Sequence, residues 1–239
     1  MSLHDILSHR RSVRDYLPVA IDEALVKHCL ELATLAPTSS NMQLYEFYHV
    51  TDKALLAKLA KACLSQGAAT TADQMVVFVI RPDLHRARAK AVLNFEKYNV
   101  KNYSPADKVP NRTKRFEHYY NRLMPLLYSQ TKLVPTARQM LARTIGQFRP
   151  IQADVSFDDM RVVMHKSCGL VAQTFMLAMS EKSLDTCPME GFDGRMIKDL
   201  LDLPEECEIN MVVSCGIRSE KGVWGERFRV PFNDVYRKL

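Results

Sequence analysis

The chain has 239 residues, 47% of them hydrophobic and 25% charged, with a formal net charge of +6. That apolar content excludes a disordered or collagen-like chain, and the length suits one core carrying an insertion. Its eight glycines are not spaced as G-x-G-x-x-G or G-x-x-x-x-G-K, which excludes both a dinucleotide-binding fingerprint and a phosphate loop.

Ser2-Leu3-His4-Asp5 reads as an N-cap with an acid three residues on, opening a short helix with Leu3, Ile6 and Leu7 on one face. Asp22 caps a second helix to about Leu35, with Leu25, Cys29, Leu32 and Ala36 at helical spacing, and Pro37 stops it. The pattern predicts a strand over 47–50, a helix over 52–63 and a buried strand over 75–80 that Pro82 closes. From about 85 to 154 it changes to long helical stretches broken at Pro105, Pro110, Pro125, Pro135 and Pro150, a helical insertion within a single domain spanning 1–239. The core resumes at Ser156 with a strong helix over 160–179. There Val163, Leu170, Phe175 and Leu177 give an almost all-round apolar surface, the pattern of a central buried helix. A loop over 183–192, a helix near 195–201, a strand over 209–214 and an irregular tail over 224–239 complete the chain. Helices interleaved with three or four strands predict an α+β layered fold rather than a doubly wound sheet.

The six cysteines show no C-x-x-C pair and the histidines no metal-binding spacing, so buried thiols and no metal site are expected. No secretory pattern opens the chain and no apolar run reaches a membrane span, which points to a reduced cytoplasmic setting without a membrane partner.

Three polar clusters carry candidate chemistry. Arg10-Arg11-Ser12-Val13-Arg14 sets three guanidiniums and a hydroxyl within five residues, a donor set suited to phosphate; its plainer reading is a solvated helix end. Ala36-Pro37-Thr38-Ser39-Ser40-Asn41-Met42-Gln43 can hydrogen-bond a heterocycle or a sugar chain, or serve only as a helix stop followed by side-chain turns. Pro188-Met189-Glu190-Gly191-Phe192 lets backbone approach a ligand at Gly191, or is simply a turn.

In this order, together with Met75-Val76-Val77-Phe78-Val79-Ile80 and the tail's Arg227-Phe228-Arg229, these motifs resemble the FMN-dependent nitroreductase family. The resemblance covers residues 3–80 and 156–232. It implies a homodimer of a three-layer α+β fold, with a mostly antiparallel central sheet flanked by helices and FMN at the subunit interface. By motif, Arg10, Arg11, Ser12 and Arg14 would contact the FMN phosphate and ribityl chain, with Arg227 and Arg229 closing on the phosphate. Thr38, Ser39 and Asn41 would serve the partner's flavin, while Pro188, Met189, Glu190 and Gly191 would lie along the polar edge of the ring. The implied activity takes a hydride from NADH or NADPH and reduces small electron-poor acceptors, nitroaromatics or quinones, by a ping-pong mechanism. The flavin carries that chemistry, so no catalytic side chain is named. Other reductions (dehalogenation, an enone) or a low-turnover flavin-binding or sensing role are the competing readings. Many relatives carry a Lys shortly before the Val-Val-Phe strand; here Ala68 stands within Gln66-Gly67-Ala68-Ala69, which leaves the flavin's tuning open.

The insertion lies outside those motifs. Between Arg81 and Pro150 stand 15 Lys/Arg and 4 Asp/Glu, a balance of +11 that leaves −5 for the rest of a +6 chain. One reading makes it a substrate lid, with Phe116, Tyr119, Tyr120 and Tyr128 walling a flat acceptor. Another is a solvated helical hairpin with aromatics inward; a nucleic-acid surface is the least favoured.

Overall fold

The computed structural model of the chain describes residues 2–129 and 133–239. Four strands, β1 (Tyr45–Val50), β2 (Gln74–Ile80), β3 (Asp185–Met189) and β4 (Glu208–Gly216), form one sheet in the order β1-β2-β4-β3. Every neighbouring pair is antiparallel: Tyr45 faces Ile80, Gln74 faces Cys215 and Asp185 faces Gly216, with a bulge at Asn210 of β4 opposite Phe78 and Val79.

β2 is buried along its whole length, so its two faces show how the layers stack. Val76, Phe78 and Ile80 enter a core with α2 (Glu23–Ala33) and α9 (Phe157–Glu181), where Phe78 meets Phe47 and Phe175. Met75, Val77 and Val79 point the other way, into a second core with α3 (Lys53–Ala62) and α10 (Gly194–Leu200). Period-two alternation on a strand buried on both sides thus gives helix, sheet and helix layers, the expected three-layer α+β fold. The remaining short helices are α1 (Leu3–His9), α4 (Gly67–Thr70) and α11 (Phe232–Val235).

Two expectations are corrected. β3 occupies the span read as a loop over 183–192. Pro188 and the acid Asp185 hid it, yet β3 is an edge strand, where a residue with no N–H to donate is tolerated. The helix α9 begins at Phe157, because Ser156 and Asp159 form a reciprocal capping box. It is not enclosed all round: Phe175 is buried, but Leu170 is 51% and Val162 46% exposed on its outer face. α9 has the length and hydropathy of a membrane span, yet its inner face is packed in the core.

The described part of residues 85–154 carries α5 (His85–Tyr103), α6 (Val109–His118), a π turn (Tyr119–Leu123), α7 (Met124–Leu127) and α8 (Leu133–Gly146). They do not stand apart from the core. Tyr120, Met124 and Tyr128 sit in the same cluster as Phe78 and Phe175, and Tyr120 and Tyr128 are only 6% and 2% exposed. These two tyrosines are therefore core side chains rather than a free lid, whereas Phe116 and Tyr119 stay partly exposed. The buried Arg138 fastens α8 by donating to the carbonyls of Leu126 (2.7 Å), Ser156 (3.0 Å) and Val155.

Candidate functional site

The arginine motif follows α1, and three contacts fix where it runs. The capping box of Ser2 and Asp5 opens α1, and the chain leaves it extended at Arg10. Ser12 then bridges Thr186 in parallel, the Val13 N–H donating to the Thr186 carbonyl at 3.1 Å, so the motif runs alongside edge strand β3. Beyond it, the buried Tyr16 hydroxyl meets the Ser214 hydroxyl at 2.9 Å on β4. At the other end, Arg218 donates to the buried Asp185 carboxylate and, at 2.9 Å, to the His9 carbonyl. An ion pair between the half-buried Arg218 and the buried Asp185 thus holds the end of α1 against the sheet.

The tail closes over this segment. Arg227 donates to the carbonyls of Leu7 (2.8 Å), Ser8 (3.1 Å) and Arg10, satisfying the open C-terminal end of α1, and Arg11 donates to the Gly225 carbonyl at 2.8 Å. The Arg14 guanidinium stacks 4.7 Å above the ring of Trp224, which is 70% exposed. The result is a cleft of 190 Å³ lined by Arg10, Arg11, Ser12, Arg14, Arg227 and Arg229 together with Trp224, Glu226 and Phe228. Five guanidiniums face a single carboxylate there. Burial, then Arg227, Arg229 and Arg11, pull the Arg10 guanidinium below its ordinary pKa. Its Nε is buried with no hydrogen-bond partner among the described residues. A buried, unpaired donor among like charges costs free energy that a bound anion would offset. A phosphate carries the charge and acceptor oxygens this donor set lacks, so the residues fit the phosphate end of FMN.

β3 leads from Thr186, opposite Ser12, to the turn holding Glu190 and Gly191, both exposed. There the sequence reading missed Gln66, whose Nε2 donates to the Gly191 carbonyl at 2.8 Å. Leu64 and Ser65 before it adopt left-handed backbone (φ 58° and 51°), turning the chain to deliver Gln66. Next comes Gly67, where a Cβ would lie 2.8 Å from the Arg14 carbonyl oxygen, so only glycine permits this approach of α4. Ala68 is packed inside the second core, and it is the backbone carbonyl of Arg14 that lies against Gly67. Pro188 is half-buried and Met189 belongs to the second core.

Thr38, Ser39 and Asn41 do not share the arginine cleft. Thr38 and Ser39 line a separate small recess with Tyr128, Met164 and Ser167, and the Ser39 N–H donates to the Ser167 hydroxyl on α9 at 3.1 Å. Ser40 and Asn41 both hold left-handed backbone (φ 52°). The π turn fixes that strained loop: Tyr119 and Ser40 hydroxyls meet at 2.7 Å, and the Tyr120 hydroxyl donates to the Ser40 carbonyl at 3.1 Å. Wide turns of this kind recur at functional sites.

The Nitroreductase family profile matches residues 7–217, most of the chain. The chain is similar to MhqN of Bacillus subtilis, provisionally named an NAD(P)H nitroreductase, with 22% identity over 232 residues that cover 96% of this chain and 95% of that one. Among solved structures it superposes on a provisionally named NAD(P)H:FMN oxidoreductase of Staphylococcus epidermidis with a TM-score of 0.73 at 17% identity, covering 100% of this chain and 96% of the other. A provisionally named nitroreductase of Exiguobacterium sibiricum in complex with FMN gives a TM-score of 0.69 at 21% identity, over 100% and 98% of the two chains. With the profile spanning the sheet, both cores and the arginine motif, the chain belongs to the nitroreductase family.

Proposed function

We propose that the protein is an NAD(P)H-dependent FMN oxidoreductase that reduces small electron-poor acceptors, nitroaromatics or quinones, one substrate leaving before the next binds. The observation that carries this reading is the buried, unpartnered Nε of Arg10 inside a cleft of five guanidiniums. Family membership and a relative provisionally named an NAD(P)H nitroreductase support the activity. Bound FMN supplies the redox chemistry, taking reducing equivalents from the nicotinamide and delivering them to the acceptor. The chain's own residues bind and orient. Arg10, Arg11, Arg227 and Arg229 hold the phosphate, and Ser12 and Arg14 bind the adjoining chain. The Glu190–Gly191 turn, fixed by Gln66, offers backbone groups to the ring edge.

We further propose a homodimer in which Thr38, Ser39 and Asn41 complete the partner's site. Two observations support it: these residues share no cleft with the arginines of their own chain, and α9 presents Val162 and Leu170 outward. The test is direct. The purified protein should be yellow or take up added FMN, bleach anaerobically with NADH or NADPH, and regain its absorbance on adding a nitroarene or quinone. Steady-state rates at several acceptor concentrations should give parallel double-reciprocal lines. Flavin that binds but never bleaches would instead favour a binding or sensing role.

A further inference from the structure

A cleft of 540 Å³ opens between α5 and α6, away from the arginine cleft. Its apolar walls are Val100, Tyr103, Phe116 and Tyr119, flat surfaces matched to an aromatic ring. Its cations are Arg112 and Arg115. Arg112 is steadied by a 2.8 Å bond to the Ser104 hydroxyl, whereas the Arg115 side chain has no hydrogen-bond or ion-pair partner among the described residues. The nearby Glu117 is already paired with Lys97 at 2.6 Å, which leaves Glu96 as the one acid in the lining. The cleft is also joined to the flavin loop: Tyr119, one of its walls, holds Ser40 at 2.7 Å, between the residues assigned above to the partner's site.

We propose that this cleft is an acceptor subsite selective for aromatic acids, with the ring on Phe116 and Tyr119 and the anionic group on Arg115, supported by Arg112. The assignment rests on the flavin-oxidoreductase reading and adds to it the class of acceptor preferred. A planar guanidinium with free donors recognises a carboxylate through paired hydrogen bonds, and a neutral amide of the same shape forfeits the charge-assisted part. The volume accommodates a one- or two-ring molecule with room to spare. The nicotinamide's phosphates share the anionic chemistry, so the test separates the two.

Oxidised, FMN-loaded protein is titrated calorimetrically with 4-nitrobenzoate and with 4-nitrobenzamide, in the wild type and in Arg115→Gln and Glu96→Gln. The wild type should bind the carboxylate at least about tenfold more tightly than the amide. The preference should fall below about threefold in Arg115→Gln and widen in Glu96→Gln, where a like charge is removed. Equal affinities, no binding of either probe, or a preference that survives Arg115→Gln would overturn the proposal. So would an Arg115→Gln variant that loses affinity for NAD(P)H while keeping its carboxylate preference, which would assign the arginine to the nicotinamide's phosphates. Arg115 is exposed, so its replacement should leave the melting temperature near that of the wild type. Failure of the flavin reading shows separately, as wild-type flavin that NAD(P)H does not bleach, while the titration still decides the subsite.

Discussion

Arg10 is the residue on which the site turns, because its cost in the free protein is visible. Its Nε is buried without a partner, and burial with three neighbouring guanidiniums disfavours its charge. Binding a dianion converts that cost into affinity. Replacing Arg10 by Gln should therefore weaken FMN by at least about tenfold, the loss of one hydrogen bond to a charged group (~1.5–3 kcal/mol). Fluorescence titration of flavin into the stripped variant measures this, and unchanged affinity would remove Arg10 from the phosphate site. The arginine motif was legible in the sequence because its donors are contiguous, and the tail arginines because they match a family pattern. Gln66 and Trp224 were not. Gln66 matters only because a left-handed turn brings it to Gly191, and Trp224 because the tail folds over Arg14. Neither contact leaves a local trace.

At the scale of elements, helices with caps and clear periodicity were readable to within a few residues, as was the apolar run Met75–Ile80 of β2. β3 was hidden by its proline, since a propensity rule written for central strands misjudges an edge. The insertion was recognised as helical, but its aromatics could not be sorted into core and cleft, because that depends on which face meets the sheet. The π turn settles it by burying Tyr120 and leaving Tyr119 at the cleft, while both hold Ser40. Tyr120→Phe leaves the Ser40 carbonyl without that donor and should cost about 1 kcal/mol, lowering Tm by roughly 2–4 °C in thermal unfolding. An unchanged Tm would show that the Tyr120 bond does not restrain the loop. A second element-level prediction concerns α9 and β4. The Glu208 carboxyl is held below its ordinary 4.5 by the hydrogen bond from His165 and by Arg161, at 3.1 and 2.6 Å. A depressed carboxylate stabilises the fold above its unfolded-state pKa, and that contribution fades as pH falls through the lower folded-state value. Glu208→Gln should therefore lower Tm at neutral pH, and the two Tm curves should converge below about pH 4.5. Parallel curves down to pH 3 would contradict the assignment.

For the whole molecule, the open question in one chain is what its outward apolar surface meets. Leu170 and Val162 on α9, with Trp224, Phe228 and Phe232 along the tail, are exposed, as are Ser39 and Asn41 of the loop that lies outside the arginine cleft. The sequence alone read α9 as buried all round, and in the proposed homodimer the second copy would cover the exposed face. Leu170→Arg should shift the sedimentation of the protein from dimer to monomer and lower its flavin content together. A dimer that keeps full flavin would place the interface elsewhere. Of the basic segment over 81–150, Arg112 and Arg115 line the α5–α6 cleft, while a separate cluster of arginines outside that segment forms the proposed phosphate site.

The central claim is that one cleft of arginines holds a working flavin, and anaerobic spectroscopy of the FMN-loaded protein tests it most directly. Adding NADH or NADPH should bleach the flavin band, and a nitroarene or quinone should then restore it. A protein that takes up no FMN, or whose bound flavin neither nicotinamide bleaches, would contradict the account.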